Sequence, residues 1–182
     1  DENGPFTAGT DSASGNITVS AGSKKITIPV SVAGHVKTLE TFVGDLSTFV
    51  SSDTVTVAGE NSLSYVRSGR QSLKLTYDTG ATGTATLPVE MTLPEHESFL
   101  GVWVYGDNSG NTLTATVADT AGETSTVALT ALNFTGWKHV VAALPDDAAS
   151  VQAVNVVYGG GENLSTGAFW LDQFTTSNQN IS

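Results

Sequence analysis

The chain predicts an all-β fold, an antiparallel β-sandwich preceded by a β-hairpin, and three observations carry that prediction. Apolar and polar residues alternate with period two over most of its 182 residues. Thr, Ser, Ala, Gly and Val dominate the composition, and the β-branched residues among them favour extended chain. Turn residues recur at the short spacing that separates sandwich strands, and no connection is long and helical enough for a parallel crossover. The length suits one sandwich-sized domain plus a small extra element, and is too short for two full α/β domains.

Taken in chain order, residues 1–14 read as turn or irregular peptide, and the opening Asp1-Glu2-Asn3-Gly4 looks like a cut from something longer. Strands at 16–20 and 25–32 follow, joined by Ala21-Gly22-Ser23-Lys24. In the second, Ile26, Ile28, Val30 and Val32 alternate with Thr27, Pro29 and Ser31. Ala33-Gly34-His35 reads as a junction, dividing the chain into a hairpin or linker, 1–35, and a sandwich, 36–182. The sandwich strands are expected at 38–43, 53–58, 63–67, 71–78, 83–90, 98–105, 112–118, 123–129, 136–144, 151–158 and 167–175. Asp107-Asn108-Ser109-Gly110 and Asp119-Thr120-Ala121-Gly122 supply the Asx side chains and left-handed residues of hairpin loops. Pro94 and Pro145 stop strands because they cannot donate to a ladder.

Charge narrows the partners. The formal net charge is −11 with only seven Lys and Arg, whereas phosphate and anionic lipid surfaces need clustered basic residues. Nucleic acid and membrane insertion are therefore not expected, and no apolar run approaches membrane-spanning length. With no cysteine there is no disulfide, thiolate metal site or Cys nucleophile.

Two features of the strands carry chemistry. On 98–105, Leu100, Val102 and Val104 form one face while Phe99, Trp103 and Tyr105 form the other. If the aliphatic face is core, Trp103 and Tyr105 make an outward platform. The run Ala168-Phe169-Trp170-Leu171-Asp172-Gln173-Phe174 sets an acid between core hydrophobes, with Trp170 sharing its face. Burying a carboxylate is costly unless it is paired or bound to a cation, which points Asp172, with Glu40 in an earlier strand, towards a metal.

Four blocks, in order, extend this reading. They are Ser68-Gly69-Arg70-Gln71-Ser72-Leu73-Lys74-Leu75, Leu100-Gly101-Val102-Trp103-Val104-Tyr105-Gly106-Asp107, Phe134-Thr135-Gly136-Trp137-Lys138-His139-Val140 and Phe169-Trp170-Leu171-Asp172. Together they resemble galactose-binding-like jelly-roll carbohydrate-binding modules, of the kind appended to secreted or surface polysaccharide-active proteins of bacteria. The segment from Gly4 to Val32 resembles the closing strands of a bacterial Ig-like (Big) domain. The first resemblance implies a jelly-roll sandwich with a structural Ca²⁺ held by Glu40, by carbonyls of the Ser68–Arg70 loop around Gly69, and by Asp172. It also implies a sugar-binding face, for which Trp103, Tyr105 and Trp170 are the candidates, whereas the position of Trp137 implies a core ring. Gln173 stands where the family often has a second Asp, and no aromatic occupies Gly110–Thr114, where similar modules often place one.

No enzyme is expected. His35, His96 and His139 lack the spacing of a metal or triad motif, and Glu95-His96-Glu97 reads as a solvated loop. Asp146-Asp147 reads as a surface turn, and Gly159-Gly160-Gly161-Glu162 lacks the strand-to-helix context of a phosphate loop. The expectation is a monomeric, non-catalytic polysaccharide-binding module of a larger extracellular protein, secreted or attached to the cell surface. The competing expectation is a structural spacer or protein-contact domain without glycan affinity.

Overall fold

The structure, a computed structural model, describes residues 13–22, 24–32 and 36–180. β1 (Ala13–Ala21) and β2 (Lys24–Val32) form an antiparallel ribbon that sets Val19 against Ile26 and pairs with no other strand among the described residues. The expected junction Ala33-Gly34-His35 lies outside the described residues.

The remaining strands form two antiparallel sheets. The first has the order β10-β7-β12-β5-β4, with β3 also paired to β12. Its strands are β3 (Val36–Glu40), β4 (Val55–Glu60), β5 (Ser72–Asp78), β7 (Phe99–Asp107), β10 (Thr135–Ala143) and β12 (Thr166–Ser177). The second sheet runs β6-β11-β8-β9, from β6 (Thr84–Thr92), β8 (Thr112–Asp119), β9 (Thr124–Ala131) and β11 (Ala148–Val157). The all-β antiparallel sandwich expected from the alternation is therefore what the chain forms.

The core lies between the sheets. Leu73, Leu75, Val102, Val104, Phe169 and Leu171 face Leu87, Leu113, Ala115, Val117, Val154 and Val156, all buried. Each Leu, Val or Phe side chain among them contributes about 1.5–3 kcal/mol when removed from water. The aliphatic face of β7 is thus inward, and Trp103 and Tyr105 stand on the other side. Phe42 and Phe49, in the connection from β3 to β4, add 5.2 Å ring contact to this core. Hydrogen bonds from Ser52 Oγ to Thr86 O and from Thr86 N to Thr54 Oγ1 hold that connection along the edge strand β6.

β12 organises the first sheet. Its N-terminal half, Thr166–Leu171, pairs with β5, and its C-terminal half, from Phe174, pairs with β3. Between them the register against β7 shifts after Asp172, and Gln173 adopts φ +48°. The extra residue of this bulge lets one strand serve two partners in succession.

Most strand expectations hold to within a few residues, with two instructive exceptions. Residues 63–67, expected as a strand, leave the sheet: Leu63–Tyr65 is a 3₁₀ turn closed by Tyr65 N donating to Ser62 O. Glu60 already pairs with Ser72 across β4 and β5, so no ladder partner is left for the segment between them. β3 stops at Glu40 because the Glu40 carboxylate accepts the N–H groups of Thr41 and Phe42, and Phe42 turns to φ +55°. Glu95-His96-Glu97 is likewise not solvated throughout. Glu95 and His96 are exposed, but Glu97 has 4% side-chain exposure and pairs with Lys37 at 2.7 Å, joining the loop to β3.

Candidate functional site

The outward face of the first sheet carries a row of aromatic side chains that strand register sets side by side. Trp137 of β10 lies opposite Tyr105 of β7, and Tyr105 lies opposite Trp170 of β12. The next row holds His139, Trp103 and Asp172 in the same order. Period-two alternation explains the arrangement: Val102, Val104 and Leu171 point into the core between these residues. Tyr105 meets Trp137 and Trp170 edge-on, with ring centroids 5.6 and 5.4 Å apart, and His139 meets Trp103 at 4.9 Å. Trp137, expected in the core, belongs to this outward row. A Gly-Trp pair at the start of β10 does not reveal which face the indole takes; the register with Tyr105 does.

The segment between β4 and β5 lies over these rings. Tyr65 stacks on Trp170 at 4.1 Å with an interplanar angle of 12°, and meets Tyr105 edge-on at 4.9 Å. The guanidinium of Arg67 stands 4.2 Å over the Trp103 ring, and the ammonium of Lys74 stands 5.5 Å over Trp170. Neither cation has an ion-pair partner among the described residues. Nothing in the sequence pattern pointed to Tyr65 or Arg67, because they act from an irregular segment that has no period.

Asp172 is fully buried beneath that segment. Its Oδ2 accepts the N–H groups of Arg67 and Ser68, each at 2.9 Å, while Oδ1 is buried with no hydrogen-bond partner. Burial pushes its carboxyl above the usual range, against the downward pull of the Ser68, Arg67 and Gln173 amides and the Arg67 charge. Beside it, Gln173 Nε2 donates to Ser68 Oγ at 3.0 Å. At His139, burial first and the Arg67 charge second hold the imidazole below its ordinary value. The indole N–H of Trp137 is buried without a partner. At the rim, Glu60 is held below the usual range chiefly by the Ser62 N–H, and more weakly by the Trp170 indole and Lys74.

The structure brings together some of the residues expected to hold calcium, and separates others. Asp172 and the loop before β5 meet directly, but Arg67 and Ser68 present N–H groups to the carboxylate. Gly69, at φ +70°, sits against Val43, where a Cβ would lie 2.7 Å from the valine Cγ2. Glu40 pairs with the core residue Phe174 and lines, with Phe49, Glu90 and Met91, a groove of about 470 Å³. It thus lies on the inner side of the sheet, whereas Asp172 looks outward. The carbonyls of Phe42 and Gly44 accept the Gln71 amide at 3.0 and 3.3 Å. Among the described residues no group of three or more His, Cys, Asp or Glu side chains is placed to hold a metal ion. At this place Asp172 Oδ1 has no hydrogen-bond partner.

Solved structures share this architecture. A carbohydrate-binding module of the β-sandwich superfamily superposes with a TM-score of 0.54 at 13% identity, covering 89% of this chain and 74% of that one. The CBM22-1 xylan-binding domain from Paenibacillus barcinonensis Xyn10C superposes with a TM-score of 0.52 at 16% identity, covering 82% of this chain and all of that domain. The fold is that of the β-sandwich carbohydrate-binding modules. Sequence similarity points elsewhere: residues 96–164 match the model of the flagellar filament outer layer protein family, over less than half of the chain. A flagellar filament outer layer-like protein of Brachyspira hyodysenteriae is 36% identical over 62 residues, which cover 34% of this chain and 29% of that protein. The chain therefore matches under a third of the length of that curated relative.

Proposed function

We propose that this chain is a non-catalytic polysaccharide-binding module of a larger extracellular protein, acting as a monomer. The observation that carries the reading is the outward row Trp137, Tyr105 and Trp170, with Trp103 beside it. Flat rings on a sheet face suit the apolar faces of pyranose rings. A module of this kind raises the effective concentration of the domains to which it is tethered near their substrate. The hairpin β1–β2 fits the closing edge of a preceding Ig-like domain in such a chain.

Affinity electrophoresis of the full chain through gels containing soluble xylan or mixed-linkage β-glucan tests this. Retardation by at least one polysaccharide, lost in Trp103→Ala and Trp170→Ala variants that keep the wild-type melting temperature, is the expected result. Equal mobility of wild type and variants in every gel removes the reading.

A structural Ca²⁺ is a separate proposal, supported by Asp172 Oδ1, a buried carboxylate oxygen without a donor. Asp172 would be the anchoring ligand, with carbonyls of the loop around Gly69 as the further candidates; Glu40, expected as a ligand, lies on the other side of the sheet and does not reach the same ion, which would supply only charge neutralisation and stiffness. A cation bound to the folded state alone raises the melting temperature of EDTA-treated protein. A rise in millimolar Ca²⁺ that Asp172→Asn abolishes is expected. No rise withdraws calcium and leaves the aromatic face untouched.

A second reading, a contact domain of a surface assembly without glycan affinity, is favoured by the match of residues 96–164 to the outer layer family model. It predicts concentration-dependent self-association in sedimentation together with uniform mobility in the polysaccharide gels.

A further inference from the structure

Two ring faces on the aromatic sheet are already covered, and by the chain itself. Tyr65 lies almost parallel on Trp170, at the separation an incoming flat ring would take, and the Arg67 guanidinium stands 4.2 Å over the Trp103 ring. Both belong to one segment, residues 61–71, which leaves the sheet at Glu60 and returns at Ser72, two residues that face each other across the β4–β5 ladder. The segment can therefore swing without breaking strand pairing, because its two ends are already joined.

Its central part is held by a handful of bonds: Ser72 Oγ donates to Tyr65 O at 2.5 Å, Asp172 Oδ2 accepts from Arg67 and Ser68, and Gln173 Nε2 donates to Ser68 Oγ. Its C-terminal end is anchored as a hinge, where Gly69 lies against Val43 and Gln71 Nε2 donates to Phe42 O and Gly44 O. Leu63, at the crown of the 3₁₀ turn, is 92% exposed and adds no packing. Asp172 is the deepest of these attachments and is only half satisfied, since Oδ1 has no donor in the closed arrangement. Water reaching the carboxylate on opening would satisfy both oxygens, so the loss of two amide bonds is offset in part.

We infer that residues 61–71 form a lid over the aromatic face, with Tyr65 and Arg67 as internal occupants of the Trp170 and Trp103 faces and Asp172 as the latch. The consequence for ligand rests on the polysaccharide reading above: a sugar chain stacks on these tryptophans only after displacing the chain's own side chains. Apparent affinity is then the intrinsic affinity reduced by the fraction of molecules with the lid open. Removing the two occupants raises that fraction and tightens binding, whereas removing a wall of a fixed cleft weakens it.

The test has two arms on the full chain. In the first, Tyr65→Ala/Arg67→Ala is compared with wild type for binding to soluble xylan and to mixed-linkage β-glucan. Binding about tenfold tighter in the double variant is expected, with Trp103→Ala abolishing it in that background. Weaker binding in the double variant overturns the lid and makes Tyr65 and Arg67 fixed contacts. In the second arm, amide hydrogen exchange is followed in wild type without any polysaccharide. The Arg67 and Ser68 amides are expected to exchange at least about tenfold faster than those of Leu73 and Leu75, through local opening. Protection equal to that of the strand amides means the segment opens only with the whole sandwich, and the lid is overturned. If neither polysaccharide binds either form while those two amides exchange early, the polysaccharide reading fails and the lid stands.

Discussion

Single hydrogen bonds decide how the ends of strands are held, and Tyr77 shows how little of this a one-dimensional pattern displays. Its place in the strand was legible, because Leu73, Leu75 and Tyr77 alternate with Ser72, Lys74 and Thr76. Its polar partner was not, because Asp107 lies thirty residues away on another strand. In the structure the Tyr77 hydroxyl donates to Asp107 Oδ2 at 2.8 Å and accepts from Asn111 Nδ2 at 3.2 Å, and Asn111 also donates to Leu164 O. Burial, followed by the Asp107 carboxylate, pushes the phenol up to about 12, so it stays a donor throughout the physiological range. Gly167 is required beside this pair: a Cβ there would lie 2.4 Å from Asp107 Oδ2 and 2.6 Å from the phenol oxygen. Tyr77→Phe removes one donor and leaves the Asp107 and Asn111 groups short of a partner, which costs about 1–3 kcal/mol. Urea unfolding should show that loss in the midpoint with an unchanged slope. A change below about 0.5 kcal/mol would mean that water replaces the hydroxyl.

Elements with a clean period were readable, and those whose role depends on a partner were not. β7 and β5 alternate without interruption, and their faces follow from the spacing of Val and Leu alone. β12 was readable as a strand, and the pairing of Trp170 with Asp172 on one face was visible. Its change of partner from β5 to β3 was not, because the bulge depends on Gln173 entering the left-handed region, which Gln does without a sequence signal. The segment 61–71 was the hardest to read. Its Tyr65-Val66-Arg67 triplet fits a strand by propensity, yet Glu60 and Ser72 already close the ladder, so the residues have nothing to pair with and fold over the sheet. The same displacement explains the site. Of the candidate binding residues, Trp103, Tyr105 and Trp170 stand on the outward face as expected, while the groups that cover them come from the misread segment. Trp137 joins the row because β10 pairs with β7 in a register that no local pattern contains.

At the scale of the whole molecule, charge and burial pull stability in opposite directions as the medium is acidified. Eighteen acidic residues against seven basic ones give a net charge of −11, so protonating surface carboxylates relieves repulsion and favours the compact state. His139 acts the other way. Its imidazole is held below the ordinary value of 6.5, first by burial against the sheet and then by the Arg67 guanidinium over Trp103. A base whose folded value is depressed binds fewer protons in the fold than in the unfolded chain over the interval between the two values. Stability therefore rises with pH across that interval, is complete above the unfolded value, and is lost as pH falls below it. Surface carboxylates take up protons mainly near their ordinary values of about 4, so the His139 term comes first as pH falls, but wild type alone cannot assign it to one residue. His139→Gln can, because it keeps the size and polarity of the side chain, leaves every carboxylate in place and removes the titration. Melting temperatures measured across and above that interval should show the two proteins keeping a constant difference above about pH 7.5. Below it the wild type should lose ground steadily to the variant, until the folded imidazole also takes up its proton. Parallel curves over the full range would show that His139 titrates normally and that the ring-lined face around Trp103 is open to water, which would count against Arg67 being seated on it.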